Sequence, residues 1–221
     1  MAGLKVGVLI SGRGSNLQSL LTACAASHFP ARVALVISNR ADAEGLRHAG
    51  DTGVTSLVID HRNYPDRERF DAALDQALRA AGIELVCLAG FMRLLTPGFV
   101  TAWQGRLINI HPSLLPSFKG MHTHRQALAA GVRIHGCTVH FVTADLDAGP
   151  IIAQAAVPVG ANDDEESLAA RVLEAEHRLY PLALSMLASG RARLDGDRVI
   201  LSDTFPTGQE MLMEPHGLSG V

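Results

Sequence analysis

Short apolar runs alternate with amphipathic stretches along most of this chain, and that alternation restricts the fold more than any single motif. Leu4–Ile10, Val33–Ser38, Val54–Ile59, Glu84–Ala89 and Arg106–His111 read as strands, each bounded by turn or helix signals. Ser15–Ala26, Ala43–Ala49, Arg67–Ala80 and Pro97–Trp103 read as the helices between them, and the third carries Phe70, Leu74 and Leu78 on one face. This βαβα order predicts an α/β fold, a Rossmann-like, mostly parallel twisted sheet with helices on both faces. Beyond residue 116 the pattern changes. His122–Ala130 reads as a helix, and Gly136–Val142 and Ile151–Val159 as strands joined by an Asp-rich loop. Antiparallel additions are therefore expected in the C-terminal part. Asp163 or Asp164 can cap a long helix from Glu165 to about Ala188. Its apolar stripe is Leu168, Val172, Ala175, Leu179, Leu182 and Met186, and Pro181 is a candidate kink. Arg191–Leu201 reads as a hairpin around Asp195-Gly196, and the last fifteen or so residues as poorly ordered.

A chain of 221 residues, 48% hydrophobic, is long enough for one large core. With no internal repeat or long linker, it reads as a single domain over 1–221. The net charge of −3 and the lack of a basic stripe argue against nucleic acid. The three cysteines, Cys24, Cys87 and Cys137, lack CxxC spacing, so neither a disulfide framework nor a zinc site is indicated. The apolar run Val6–Ile10 is too short for a signal or membrane segment. A soluble, cytoplasmic protein without a membrane partner is the expectation.

Two segments carry chemistry. In Leu107-Ile-Asn-Ile-His-Pro112, residues two apart share a strand face, so Asn109 and His111 point the same way before Pro112 stops the ladder. An amide donor beside a titratable ring suits acyl transfer, and Asp147 in Asp145-Leu-Asp-Ala-Gly-Pro150 can supply the carboxylate. Taken singly, these residues equally fit a turn tie, a core histidine and a turn cap. The second segment, Ser11-Gly-Arg-Gly-Ser-Asn-Leu17, joins a strand to a helix. Its glycines let backbone amides approach an anion, and the helix N-terminus favours negative charge. A dinucleotide fingerprint is argued against by Leu17 in place of a third glycine, and by Ser38-Asn-Arg40 where a ribose-binding acid would stand. A terminal phosphate monoester fits better.

Five segments, Leu9–Leu17, Leu88–Leu95, Ile108–Pro116, His122–Leu128 and His140–Pro150, resemble the phosphoribosylglycinamide formyltransferase family, in order, over about residues 4–190. The resemblance implies the formyltransferase fold, with a phosphate-binding half over about 1–105, a catalytic and folate-binding half over about 106–203, and a tail over about 204–221. It implies formyl transfer from the cosubstrate 10-formyltetrahydrofolate to glycinamide ribonucleotide in purine synthesis. The catalytic set would be Asn109, His111 and Asp147. Gly14, Ser15, Asn16 and Glu176 would bind the ribonucleotide, with Glu176 on the ribose hydroxyls. Arg67, Met92, Arg93, Leu94, Leu95, Asn109, Thr143, Ala144, Asp145, Leu146 and Asp147 would bind the folate.

The residue types agree with that chemistry. Asn109 and a protonated His111 can donate to the oxyanion of a tetrahedral intermediate, and an acid at Asp147 favours the charged ring. His111, or water held by Asp147, can carry the proton between the two nitrogens. Periodicity alone would make Met92 and Leu95 core, Glu176 a solvated acid and Arg67 a surface charge. His122 reads as a pocket wall, and His124, His135 and His140 as structural, with no metal indicated. One departure stands out: the family usually carries Pro where this chain has Lys119.

Rival readings are formyltetrahydrofolate deformylase, methionyl-tRNA formyltransferase, a nicotinamide-dependent oxidoreductase and a non-catalytic phosphate binder. Deformylase shares the Asn, His and Asp but carries an extra N-terminal domain and lacks the Gly-Ser-Asn loop. The tRNA enzyme adds a C-terminal barrel. A monomer and a homodimer are both compatible with the sequence.

Overall fold

The computed structural model describes residues 3–202. The expected tail from about 204 lies outside the described residues. The strands are β1 Leu4–Ile10, β2 Ala31–Ser38, β3 Ser56–Val58, β4 Leu85–Leu88, β5 Leu107–His111, β6 Ile134–Phe141, β7 Ile151–Pro158, β8 Ala192–Asp195 and β9 Arg198–Leu201. The helices are α1 Ser15–Cys24, α2 Gly45–Asp51, α3 Arg67–Ala80, α4 Pro97–Ala102, α5 Thr123–Ala129 and α6 Glu165–Ala188.

Seven strands form one sheet in the order β3-β2-β1-β4-β5-β6-β7. The pairs from β3 through β5 are parallel, and β5–β6 and β6–β7 are antiparallel. The hairpin β8–β9 stands as a second, small sheet. Alternation along the strands feeds two cores. Val6, Val8 and Ile10 of β1 pack with α1 and α6, while Leu9, with Leu35 and Ile37 of β2, packs with α3 and α4. Helices therefore cover both faces. The strand order reverses between β1 and β4, and their carboxyl ends open a crevice where α/β sheets bind ligands.

Local signals explain the boundaries. Thr96 caps α4 ahead of Pro97, and Asp66 caps α3. Asp164, not Asp163, caps α6, in a reciprocal capping box with Ser167. Asp163 instead holds Arg171 through two bonds of 2.6 and 2.8 Å. Pro181 lies inside α6 without ending it.

Three expectations need correction. The third strand shrinks to Ser56–Val58, because it is an exposed edge paired only with β2. The first helix ends at Cys24, two residues early. Leu182 is half exposed, since the buried stripe turns through Leu179, Ala183 and Leu184.

Candidate active site

The loop after β1 is shaped by contact with α2. Gly14 has φ 75°, and a Cβ there would lie 2.5 Å from the Gly45 Cα. A side chain is excluded by both the backbone conformation and the neighbour. The Gly45 N–H donates to the Gly12 carbonyl at 3.0 Å, bracing the loop. The first turn of α1 holds no acid, so its amides and Ser15 offer an unopposed positive end.

Asn16 turns inward. Its Nδ2 donates to Glu176 Oε2 at 2.7 Å, and its Oδ1 is buried without a partner. Glu176 is only 6% exposed. Burial pushes its carboxyl up to about 7, against the pull of the Asn16 bond. The structure thus joins Asn16 to Glu176 across 160 residues and corrects the reading of Glu176 as a solvated acid. A groove of about 570 Å³ lined by Gln18, Ser19, Thr22, His177 and Arg178 opens beside Ser15 but borders none of Asn109, His111 and Asp147.

At the end of β5 the structure brings Asn109, His111 and Asp147 together around a fourth residue, His140. His111 Nδ1 lies 3.4 Å from Asp147 Oδ2, and its Nε2 donates to the Phe118 carbonyl at 3.1 Å. Both ring nitrogens face oxygens, which fixes the orientation of the ring. The Gly120 N–H donates to Asp147 Oδ2 at 2.9 Å. The short strap 118–120 therefore clasps both partners through its backbone. Phe118, His122 and Asp147 all take left-handed φ values of 54°, 58° and 47°, a cost that side chains bear only where surroundings enforce it. Gly149 lets the 143–150 loop cross the end of β6, because any Cβ there would collide with the Phe141 carbonyl.

His140, read from the sequence as structural, is buried beside this set and braces it. Antiparallel register sets it opposite Asn109. Its Nδ1 donates to the Phe141 carbonyl at 2.9 Å, which leaves Nε2 to accept from Asn109 Nδ2 at 3.3 Å. Burial pushes its pKa down, keeping the ring neutral and that tautomer in place. Its Nε2 also lies 3.9 Å from Asp147 Oδ1. Spacing in the sequence could have revealed it only once β6 was known to run antiparallel to β5.

The coil 89–96 after β4 lines the other side. Met92 is 75% exposed, contrary to a core reading, and Leu94 is also exposed, whereas Leu95 packs partly on the core. Arg93 lies over the Phe70 ring, with its guanidinium carbon 6.0 Å from the centroid. Thr143 to Leu146 form an exposed loop, with the Thr143 hydroxyl donating to the Asp145 carbonyl at 3.2 Å. Arg67 is exposed at the start of α3, one turn before Asp71, whose carboxyl feels its charge. His122, read as a pocket wall, is exposed at the N-cap of α5. His135 is fully buried, edge-on to Phe118 and His124, and burial pushes its pKa down to about 4. Among the described residues no cluster of His, Cys, Asp or Glu is arranged to hold a metal, and no helix is long and apolar enough to cross a membrane.

The formyl transferase family model matches residues 4–184. The chain is 46% identical to phosphoribosylglycinamide formyltransferase of Escherichia coli (strain K12), covering 89% of this chain and 96% of that protein. It is 52% identical to the trifunctional purine biosynthetic protein adenosine-3 of Gallus gallus over 86% of this chain, which spans only 19% of that longer protein. Glycinamide ribonucleotide transformylase 1 from Symbiobacterium toebii superposes with a TM-score of 0.88 at 53% identity, covering 91% of this chain and 95% of the other. A phosphoribosylglycinamide formyltransferase from Coxiella burnetii gives 0.86 at 44% identity, covering 90% and 93%. A fold, a crevice and a family model that agree over most of the length place this chain in the phosphoribosylglycinamide formyltransferase family.

Proposed function

We propose that this chain transfers the formyl group of 10-formyltetrahydrofolate to the amine of glycinamide ribonucleotide, giving formylglycinamide ribonucleotide and tetrahydrofolate in purine synthesis. The observation that carries this reading is the position of Asn109, His111 and Asp147 at a strand end, beside a glycine-braced helix N-terminus and an exposed apolar coil. Gly14, Ser15 and Asn16 hold the phosphate, and Glu176 takes the ribose hydroxyls. Met92, Leu94, Leu95 and Leu146 offer apolar contact to a pterin, with backbone groups of 92–95 and 143–147 at its edge. Arg67 and Arg93 suit the carboxylates of the folate tail. The chain works as one domain, the phosphate side from the first half and the chemistry from the second. Its setting is the cytoplasm.

The residues divide the work. Attack of an amine on a formyl carbon forms one C–N bond and leaves a negative oxygen, which needs donors in place. Asn109 keeps one amide hydrogen beyond the one given to His140, so it donates without rearrangement. His111 has its Nε2–H committed to Phe118, so its donation requires the strap 118–120 to move aside. Asp147 steadies the charged ring. The charged His111 gives a proton to the departing nitrogen as the second C–N bond breaks, and the neutral ring then takes the proton of the attacking amine. No covalent bond to the protein is needed.

A steady-state assay varying both substrates tests the reading: turnover requires the two together. Formate release at an equal rate without the ribonucleotide would identify a deformylase instead.

A further inference from the structure

The coil after β4 has no ladder or helix of its own, yet it holds the Met92 and Leu94 side chains exposed at the carboxyl end of the sheet. Something else must hold its backbone, because an extended coil with free amides is costly to order. Two side chains from distant segments do so. Ser11 Oγ accepts the Met92 N–H at 2.8 Å. Its own hydrogen is given to Asn39 Oδ1 at 2.7 Å, so the hydroxyl cannot rotate away. Asn39 is the residue that stands where a dinucleotide enzyme would carry its ribose-binding acid; here it locks Ser11. At the other end, Asp71 Oδ2 accepts the Thr96 N–H at 2.6 Å. Asp71 is buried on α3, and its second oxygen has no partner. Between these anchors the Phe91 ring stacks on Phe70, with centroids 6.5 Å apart and planes 8° from parallel.

We propose that Asp71 and Ser11 are positioning residues of the folate site, each accepting one backbone N–H and together setting the shape of the 91–96 coil. Each acts through the backbone it holds, Ser11 through the Met92 N–H and Asp71 through the Thr96 N–H. An acid buried with one oxygen unpartnered stabilises a fold poorly by itself. Its placement makes sense as an acceptor for one chosen amide. Ser11 also belongs to the loop that holds the phosphate, so it joins the two sides of the crevice. This inference rests on the folate reading above.

The test is direct binding of tetrahydrofolate and of glycinamide ribonucleotide to the intact protein, beside steady-state KM and kcat. Asp71→Ala is expected to weaken folate binding by about five- to tenfold, the scale of one lost buried hydrogen bond. Ribonucleotide binding and kcat stay within about twofold. Asp71→Asn keeps an oxygen acceptor for Thr96 and is expected to bind folate within about twofold of the parent. Unchanged folate binding in Asp71→Ala, equal weakening of both ligands, or failure of Asp71→Asn to rescue would each overturn the proposal. Should Asp71→Ala not fold, Ser11→Ala carries the test: weaker folate binding supports the role, and unchanged binding removes it. A parent protein that binds no folate would instead overturn the function reading.

Discussion

On the Gly14–Glu176 side of the crevice the working groups are buried and rigid: Asn16 and Glu176 share a 2.7 Å bond, and Gly14 is pressed against Gly45. On the 91–96 side the presented groups are exposed apolar side chains on a coil, held from beneath by Ser11 and Asp71. The difference suits two kinds of ligand. A phosphate and ribose need fixed donors and acceptors, whose misplacement by an ångström is costly. A flat ring system needs apolar area and a few backbone contacts. Asn109, His111, His140 and Asp147 sit at the seam.

Mutations can break or sharpen this contrast. The seam should matter most. His111→Ala is expected to lower kcat by about 10³-fold, the scale of a lost oxyanion donor and proton carrier. Both KM values should stay within a few fold, and steady-state kinetics checks the split.

Glu176 gives the next effect. Burial raises its carboxyl from 4.5 to about 7. An acid raised on folding contributes stability that is complete below its unfolded value and is lost as pH rises through the folded value. Glu176→Gln should therefore be more stable than the parent at about pH 8, by on the order of 3 kcal/mol, and equal at about pH 4. Urea melts at the two pH values decide it. Since ribose hydroxyls bond best to the charged carboxylate, ribonucleotide affinity in the parent should rise through about pH 7.

Gly14→Ala comes third, at about 1–3 kcal/mol of stability for a side chain forced into a left-handed, crowded position. It should raise the ribonucleotide KM and leave the folate KM alone. Met92→Ala is the smallest. It should weaken folate binding by about fivefold through lost apolar contact. Thermal stability should not change, because Met92 covers no core. A drop in Tm would mean that the coil is packed rather than presented.

Much of this was legible in the sequence for physical reasons. Period-two and period-3.6 patterns mark faces, so the sheet, the helices and the shared face of Asn109 and His111 could be read directly. Glycines and caps mark turns, which located the 11–16 loop and the start of α6. What periodicity cannot reach is pairing between distant segments. His140 enters the site only through the antiparallel register Asn109↔His140. Ser11 meets Met92 across 81 residues, and Asp71 meets Thr96 across 25. Periodicity alone could not separate Met92 from core, because an apolar residue kept for a ligand has the same composition signal as one kept for a core; its exposure makes that distinction. The strap 118–120 was hidden because left-handed φ at Phe118 is imposed by its surroundings, not by its side chain.

The most direct test follows an isotope. With label in the formyl carbon of 10-formyltetrahydrofolate, a single turnover in the presence of glycinamide ribonucleotide should place the label in the ribonucleotide product, with none in formate. Label recovered as formate, at a rate indifferent to the ribonucleotide, would contradict the account of a crevice in which two differently built walls bring an amine and a formyl group together.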